Sequence, residues 1–326
     1  EMQTYNIKGG SCGSPPCYGE PTQRDLEDTY SVAAENTVHA GKQLDWVAGI
    51  SYDWRNLMKA EEFTAPSTPA GTGTFFNYAM KDSDAFNWQT ALIYRATASD
   101  TLHASVSDRT RFPTIFERFS SRFGGATSNP ALLPERATNY EIGWTSTFAP
   151  GSQFATAAFY SDVKDAIQSV PFIYNGNAVT QSQNVGSGQY YGLEASIDYA
   201  VSRKMLIGGN ITWVHRDITN PTNPAFELTG MPEIKGIAYM TYRFTDAWSI
   251  TPSVEFASDR WTVTTDGKLY YKTGAFGLLN FQTEYEFDKN TSLMLTARNI
   301  LDENYVLTDG YPEAGRSFNV NMRAKF

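Results

Sequence analysis

The sequence predicts an all-β protein, a transmembrane antiparallel β-barrel of about 14 strands, and three observations support this prediction. Apolar and polar residues alternate with a period of two in many segments. Short turns alternate with long connectors along the chain. Aromatic residues are abundant, with 20 Phe, 19 Tyr and 7 Trp. Together these features are typical of a wall of strands with lipid on one side and water on the other.

The alternation is clearest in the last ten residues. Phe318, Val320 and Met322 fall on one face of a strand and Asn319 and Arg323 on the other, because successive side chains of a strand point to opposite sides. The same pattern recurs in the segments 44–55, 86–95, 139–148, 191–199 and 279–287. No segment keeps a 3.6-residue period, so the sequence predicts essentially no helix.

Turn-forming residues, mainly Gly, Pro, Asn, Asp and Ser, divide the chain into these strands. Short turns are expected at 41–43, 98–100, 149–152, 202–204, 245–247 and 288–290. Long connectors are expected at about 10–27, 59–84, 113–135, 167–187, 218–232, 263–269 and 301–314. Short turns at one end and long loops at the other indicate an outer-membrane barrel. A soluble sandwich or propeller is the alternative, although neither requires this strict alternation.

Composition and motifs exclude several classes of protein. The net charge of −9 disfavours a nucleic-acid partner, because such partners usually require a basic surface. No run approaches the roughly 18 apolar residues of a membrane-spanning helix. The glycines of residues 186–192 do not have the spacing of a dinucleotide-binding loop, and they precede a strand. Since His-Glu-x-x-His and Cys-x-x-Cys are also absent, we expect no enzymatic activity.

Two cysteines, Cys12 and Cys17, lie in a connector rich in Gly and Pro. Their spacing favours a small disulfide-closed loop in an oxidising compartment, and a pair of free thiols is the alternative. A metal site would need further ligands nearby, but His39, His103 and His215 are distant in sequence. We therefore expect a disulfide here and no metal site.

Several motifs between about residue 84 and the end are similar to those of a known family. They are 109–119 (RTRFPTIFERF), 129–135 (NPALLPE), 139–143 (NYEIG), 184–186 (NVG), 192–194 (GLE), 298–305 (RNILDENY), 310–312 (GYP), 315–318 (GRSF) and the terminal Phe326. Each motif is short, but their order and spacing together resemble those of TonB-dependent outer-membrane receptors.

The resemblance implies a receptor in the outer membrane of a Gram-negative bacterium that imports a scarce nutrient, typically a ferric siderophore. Such receptors have a 22-stranded barrel around an N-terminal plug domain, which couples to the TonB complex through a TonB box. This sequence shows about 14 strands and neither a plug nor a TonB box. We therefore expect residues 1–326 to form a single barrel domain, the C-terminal portion of such a receptor.

The same resemblance defines the expected partners. They are the ferric siderophore, the lipid bilayer and, through a plug domain outside this sequence, the TonB complex. We expect no cofactor of the protein itself, since iron would arrive within the ligand. A passive channel is the alternative function, because 14 strands could close alone into a smaller polar-lined pore. A structural or adhesive barrel is a third possibility.

The long connectors carry the candidate ligand contacts, because a rigid barrel displays its binding loops at one end. Arginines pair with anionic oxygens and rings stack on planar ligands. One stretch combines both: Arg111, Arg118, Arg122, Phe119 and Phe123. Further aromatic candidates in other connectors are Phe75, Phe76, Tyr174 and Tyr311. The alternative is structural, with the arginines paired to Glu117 or Glu135 and the rings packed within the loops.

Overall fold

The computed structural model of this chain describes residues 2–4, 22–64, 74–120, 125–174, 176–220, 226–264 and 269–325. The expected disulfide between Cys12 and Cys17 lies outside these ranges, as do the candidate ligand contacts Arg122 and Phe123. Among the helices of the described ranges, none has the length and apolarity to cross a membrane.

The described chain consists almost entirely of strands. In chain order the elements are β1 (Met2–Thr4), β2 (Gln23–Ala40), β3 (Leu44–Thr64), β4 (Thr74–Asn77), β5 (Ser83–Arg95), β6 (Asp100–Arg111), α1 (Ile115–Phe119), β7 (Ala126–Thr127), β8 (Glu135–Ala149), β9 (Ser152–Lys164), β10 (Ile167–Tyr174), β11 (Asn177–Asn184), β12 (Ser187–Ser202), β13 (Met205–Thr219), β14 (Ile234–Arg243), β15 (Trp248–Ala257), β16 (Arg260–Val263), β17 (Tyr270–Thr273), β18 (Phe276–Glu286), β19 (Thr291–Arg298), β20 (Val306–Thr308), β21 (Tyr311–Pro312) and β22 (Ser317–Ala324).

Fourteen of these strands pair antiparallel, in chain order, to form one continuous wall. Their order is β1-β2-β3-β5-β6-β8-β9-β12-β13-β14-β15-β18-β19-β22, and β4 adds to it by pairing with β3. The all-β antiparallel architecture and the strand number predicted from the sequence are therefore confirmed. No segment of the described ranges forms a separate plug domain.

Short turns and long connectors alternate as predicted. Two to four residues join the strands of each hairpin at one end of the wall. Gly41 and Gly151 lie in two of these turns with φ of 78° and 71°, values that glycine adopts without the steric cost of a Cβ. The long connectors at the opposite end contain structure that the sequence does not predict. The expected loop 167–187, for example, is largely the β10–β11 hairpin, whose strands have eight residues each.

The strand register separates the alternating residues onto two faces. On one face, Trp46 lies opposite Leu92 and Tyr52 opposite Phe86, and all four are exposed. The other face is polar, with the Asn87 side-chain amide donating to Asp53 at 2.6 Å. The apolar face is the exterior that lipid would cover, and the polar face lines the lumen.

Aromatic side chains form two belts on the exterior. Trp46 and Trp54 mark the two belts on β3, eight positions apart and thus about 26 Å along the strand at roughly 3.3 Å per residue. A tilt of about 35–45° reduces this separation to about 20 Å across the membrane, close to the apolar band of about 25 Å in such barrels. Strands β2 and β3 have 18 and 21 residues, more than the roughly 9–11 needed to cross. Their loop-side ends therefore project beyond the bilayer.

The five-residue helix α1 lies in the connector between β6 and β8. Thr114 and Glu117 form a capping box at its start, in which each side chain accepts a hydrogen bond from the other residue's backbone N–H. A single turn is too short to show a 3.6-residue period, so the sequence pattern does not predict it. The helix packs on Leu57 and Ala60 near the loop-side end of β3, so this connector folds against the wall and does not extend into solvent.

Candidate functional site

The connector that contains α1 builds an apolar cluster on the wall, here called the α1 cluster. Its buried members are Leu57, Ala60, Ile115 and Phe119, and Tyr78 packs against them. The Tyr78 and Phe119 rings are stacked with 5.5 Å between their centroids. Phe119, a candidate ligand contact from the sequence, is thus packed within the protein, with only 5% of its surface exposed.

Arg111 is held by two carboxylates. Its Nη1 lies 3.0 Å from both carboxylate oxygens of Glu117, and its Nε donates to Glu135 at 3.4 Å. They are the two partners expected from the sequence in the alternative in which Arg111 has a structural role. The geometry allows Arg111 to fix the position of α1 relative to β8, and it leaves less of the guanidinium free for a ligand.

Arg118 is buried, with 5% of its surface exposed. Its guanidinium lies 4.9 Å from the centre of the Phe119 ring and donates a long hydrogen bond of 3.4 Å to the carbonyl oxygen of Pro130. Burial lowers the pKa of Arg118, and the nearby cation Arg55 lowers it further, whereas Glu27 raises it. The side chain is therefore part of the packing beneath the loops.

The polar side of the α1 cluster is centred on Glu62. Its Oε2 accepts hydrogen bonds from the Tyr78 hydroxyl at 2.8 Å and from Ser128 Oγ at 3.0 Å. Asp25, at the loop-side end of β2, is 1% exposed and accepts from the Glu61 N–H at 3.1 Å. Burial raises the pKa of Asp25 to about 6. This region of the protein therefore holds a carboxyl that is costly to ionise.

The remaining aromatic candidates lie on different connectors. Phe75 and Phe76 are exposed on β4, where Phe76 makes an edge contact to Tyr78 at 5.1 Å. Tyr174 is exposed at the end of the β10–β11 hairpin, opposite Asn177. Tyr311, with 70% of its surface exposed, belongs to the β20–β21 hairpin. The structure thus joins Phe76 and Phe119 through Tyr78, and it places Tyr311 on a separate connector.

A pocket that the sequence does not predict lies among the connectors that follow β13 and β15. It has a volume of about 300 Å³ and is called here the Arg260 pocket. It is lined by Arg216, Asp217, Ile218, Phe226, Glu227, Leu228, Met231, Glu233, Asp259, Arg260, Trp261 and Lys272. The adjacent pair Arg260 and Trp261 could have indicated this pocket in the sequence, because it combines a cation with an aromatic ring as the 111–123 stretch does.

The inner face of the wall carries a ladder of polar contacts below the loops. Arg109 donates to the Gln89 side chain, and Gln89 in turn donates to Glu35 at 2.5 Å. His103 and Glu141 are 2.8 Å apart, and the His103 ring lies over Gly143, where any Cβ would collide with it. Such cross-strand pairs are compatible with a hydrated lumen. Within the described ranges, no group of three or more His, Cys, Asp and Glu residues could hold a metal ion.

The wall, its polar lumen and its long-loop end agree with the comparison to known families. Residues 2–300 match the family described as TonB dependent receptor-like, beta-barrel. The chain belongs to this family. Family members are transporters of the outer membrane of Gram-negative bacteria and are not enzymes, so the predicted family, location and non-enzymatic class are confirmed.

Several proteins are similar to this chain in sequence or in fold. The iron-regulated outer membrane virulence protein of Vibrio cholerae serotype O1 is 24% identical over 132 residues, 38% of this chain and 20% of the relative. The structure of the copper transporter OprC has a TM-score of 0.77 at 18% identity and is matched over 95% of this chain and 50% of its own. The ferric-catecholate import receptor Fiu of E. coli K12 has a TM-score of 0.73 at 17% identity, over 94% and 46%. This chain spans about half the length of these two structures.

Proposed function

We propose that this chain is the C-terminal portion of the barrel of a TonB-dependent receptor that imports a ferric siderophore. The observation that carries the proposal is the continuous 14-stranded antiparallel wall, polar on its inner face, within a segment that matches the receptor family over residues 2–300. The names of two relatives refer to iron, as an iron-regulated virulence protein and a ferric-catecholate import receptor. That of a third refers to copper, so copper is the metal to test against iron.

The proposed mechanism divides the work between the loops and the lumen. The long connectors capture the ligand at the cell surface, where exposed Phe75, Phe76, Tyr174 and Tyr311 offer rings for stacking. The ligand then passes to a plug domain outside this sequence. The TonB complex moves the plug, and the ligand crosses along the inner wall. Residues 1–326 form a single barrel domain in this scheme, and the iron travels as part of the ligand.

Uptake by the full-length receptor tests this function. Iron-starved cells that express the receptor as their sole siderophore importer should accumulate ⁵⁵Fe from a ferric siderophore, and cells that lack TonB should not. The same cells supplied with ⁶⁴Cu test the copper alternative. A passive channel would instead show steady conductance in a planar bilayer and TonB-independent uptake, and that result would contradict the proposal.

Alanine substitution of Phe75 and Phe76 together tests the role of the loop aromatics. We expect weaker binding of the ferric siderophore by the purified receptor, because stacking contacts of this kind contribute about 0.5–1.5 kcal/mol each. Phe287, an exposed aromatic at the short-turn end, serves as the control position. Unchanged affinity in the double variant would remove these two residues from the site.

A further inference from the structure

The connector that contains α1 and the β10–β11 hairpin are joined into one body. Strand β7 of the connector pairs in parallel with β11. Close to the start of β8, the Asn184 side chain donates to the carbonyl oxygen of Leu133 at 3.0 Å and accepts from its N–H at 2.9 Å. Residues 113–120 and 125–134 and the strands β10 and β11 are together called the bridge here.

Ser128 and Asn129 connect this sheet to α1. The Asn129 side-chain amide donates to the carbonyl oxygen of Ser182 on β11 at 2.8 Å, and the Asn129 N–H donates to the carbonyl oxygen of Arg118 at 2.7 Å. The hydroxyl of Ser128 lies 2.9 Å from the carbonyl oxygen of Phe119. The helix and the hairpin therefore cannot separate without the loss of hydrogen bonds, each of which contributes to stability.

The bridge is covalently attached to the wall at β6, β8, β9 and β12, and an aliphatic cluster strengthens the attachment at β9. Its buried members are Val163, Ala166, Val170 and Val185. Val163 lies opposite Ala137, on the inner face of the wall. All four members are apolar, so their burial stabilises this end of the bridge without the desolvation of a charge.

At β2 and β3 the bridge is held by contacts only, because no segment of the bridge adjoins these strands in sequence. Helix α1 covers Leu57 and Ala60 with its apolar side chains. Leu57 lies on the same inner face as Asp53, four positions earlier on β3. Arg55 donates a hydrogen bond to the carbonyl oxygen of Pro113. This contact between the bridge and the two strands is called the seam here.

The seam encloses charges that are incompletely satisfied. Glu27 and Arg55 form an ion pair of 3.3 Å, and the pKa of Arg118, lowered chiefly by burial, also responds to both of these charges. The Oε2 atom of Glu27 and the Nε atoms of Arg55 and Arg118 are buried and have no hydrogen-bond partner among the described residues. Buried polar groups without partners are costly, so the seam is weaker than its apolar contacts alone would make it.

We propose that the bridge is a gate at the loop end of the lumen, which parts from β2 and β3 at the seam and stays attached at β9. Its internal hydrogen bonds make it move as one piece, and the unsatisfied charges make the seam the first contact to separate. Asp165 and Gly186, which flank the hairpin, have φ of 53° and 96° and mark the bends where it leaves the wall. The inference rests on the proposed uptake role only for the passage that the gate controls.

The test compares two buried alanines at opposite ends of the bridge. Ala60 at the seam and Ala166 at the β9 end are both 0% exposed. Each is replaced by cysteine in the full-length, detergent-solubilised receptor, with Cys12 and Cys17 changed to serine. The rate of labelling by N-ethylmaleimide, divided by the rate in denaturant, measures how often each end opens. We expect Ala60→Cys to be labelled at least about tenfold faster than Ala166→Cys, a ratio that corresponds to about 1.4 kcal/mol.

A second set of variants tests whether the bridge moves as one piece. Asn129→Ala should speed the labelling of Ala60→Cys about two- to tenfold, the range for one hydrogen bond, because α1 then moves without the hairpin. The matched control is Gln183→Ala, which loses a hydrogen bond of 2.8 Å to Gln181 within β11 and should not change the rate. Leu57→Cys, a second reporter at the seam, should follow Ala60→Cys. Equal labelling of the two alanine positions, or equal effects of Asn129→Ala and Gln183→Ala, would overturn the proposal.

Failure of this inference is distinguishable from failure of the proposed function, because the labelling needs no ligand. If the seam opens as expected but the receptor takes up no ferric siderophore, the gate stands and the uptake role fails. If uptake proceeds and Ala60→Cys and Ala166→Cys are labelled equally slowly, the uptake role stands and the gate fails.

Discussion

Tyr78 stacks on Phe119 with 5.5 Å between ring centroids, and its hydroxyl donates to Glu62 Oε2 at 2.8 Å. One side chain thus joins the connector before β5, the end of α1 and the loop-side end of β3. Burial and the nearby carboxylate of Glu62 both raise the pKa of Tyr78, so the phenol remains a donor throughout the physiological range. The α1 cluster is therefore fixed by ring packing and by a hydrogen bond.

Replacement of Phe119 should loosen this cluster without disturbing the wall. We expect Phe119→Ala to cost up to about 3–5 kcal/mol locally, the range for a buried aromatic ring, since it leaves Tyr78 without its stacking partner. Trypsin should then cleave after Arg118 faster than in the wild type. The heat-dependent gel mobility of the barrel should not change, because the strand pairs are intact.

The matched control is Phe116→Ala on the same helix, because the Phe116 side chain is half exposed. It should alter the rate of cleavage much less than Phe119→Ala does. Equal cleavage rates for the two variants would show that Phe119 is not the residue that anchors α1.

The capping box of α1 should make this segment sensitive to acid. Burial of Glu117 opposes its ionisation, but hydrogen bonds from Thr114 and Arg111 outweigh this effect and hold its pKa below the ordinary value. A carboxyl of this kind stabilises the fold above its unfolded-state pKa of about 4.3 and loses that contribution as the pH falls through the lower folded value. The protection of the 114–120 amides against hydrogen exchange, taken relative to the intrinsic exchange rate at each pH, should therefore fall below about pH 4.

Glu117→Gln provides the comparison for this pH effect. Glutamine can still accept the hydrogen bond from the Thr114 backbone, but it does not ionise and cannot pair with Arg111 as a carboxylate. We expect faster exchange in Glu117→Gln than in the wild type at pH 7 and a smaller difference at pH 3. A difference that persists unchanged at pH 3 would mean that the charge of Glu117 contributes nothing to the helix.

The wall could be predicted from the sequence because its determinants are local. The alternation of apolar and polar residues, such as Phe318 and Asn319, is enough to assign each side chain to a face of the wall. Turn-forming residues locate the hairpins. The site could not be predicted in the same way. That the Arg118 guanidinium reaches the carbonyl of Pro130, or that Arg260 Nε has no hydrogen-bond partner among the described residues, depends on how separate connectors fold over one another. Arg111 is an intermediate case. Its partners Glu117 and Glu135 are close to it in sequence, so the sequence already offers ion pairs with them as the alternative to ligand binding.

Asp25 gives a test of the buried carboxyl at the loop-side end of β2, beyond the outer aromatic belt. Its folded pKa of about 6 lies above the ordinary value of 3.8 because of burial. The hydrogen bond from the Glu61 N–H opposes this rise, the charges of Glu62 and Glu61 add to it, and Lys59 opposes it. An acid whose pKa rises on folding destabilises the fold once the pH exceeds the unfolded value. The full penalty is reached above about pH 6. For this difference between the folded and unfolded pKa, it lowers the free energy of unfolding by about 3 kcal/mol.

Asp25→Asn should remove this penalty and keep the acceptor for the Glu61 N–H. We expect the variant to be more stable than the wild type at pH 8, and the gain should vanish below about pH 4, where both forms are neutral. Urea unfolding at the two pH values measures it. Asp28→Asn, at an exposed position of the same strand, should show no such gain. A loss of stability in Asp25→Asn at pH 8 would contradict the assignment.

The two faces of the wall can be tested with one substitution at two adjacent positions of β6. Ala104 lies opposite Leu92 and Ile142, on the exterior and midway between the rows that contain Trp144 and Tyr140. Ser105 lies opposite Glu141, on the inner face. Lysine at position 104 would place an ammonium on the lipid-facing side of the wall, at a cost of up to about 2–4 kcal/mol. Lysine at 105 would face water and a carboxylate.

We therefore expect Ala104→Lys to lower the guanidinium midpoint of the full-length receptor folded in lipid vesicles and to reduce its yield at the cell surface. Ser105→Lys should differ little from the wild type in both measurements, because a hydrated charge opposite Glu141 is neutral or slightly favourable. A shift of one residue in strand register would exchange the two results, since it moves every side chain to the other face. The comparison thus tests the register of β6 directly, independently of any ligand.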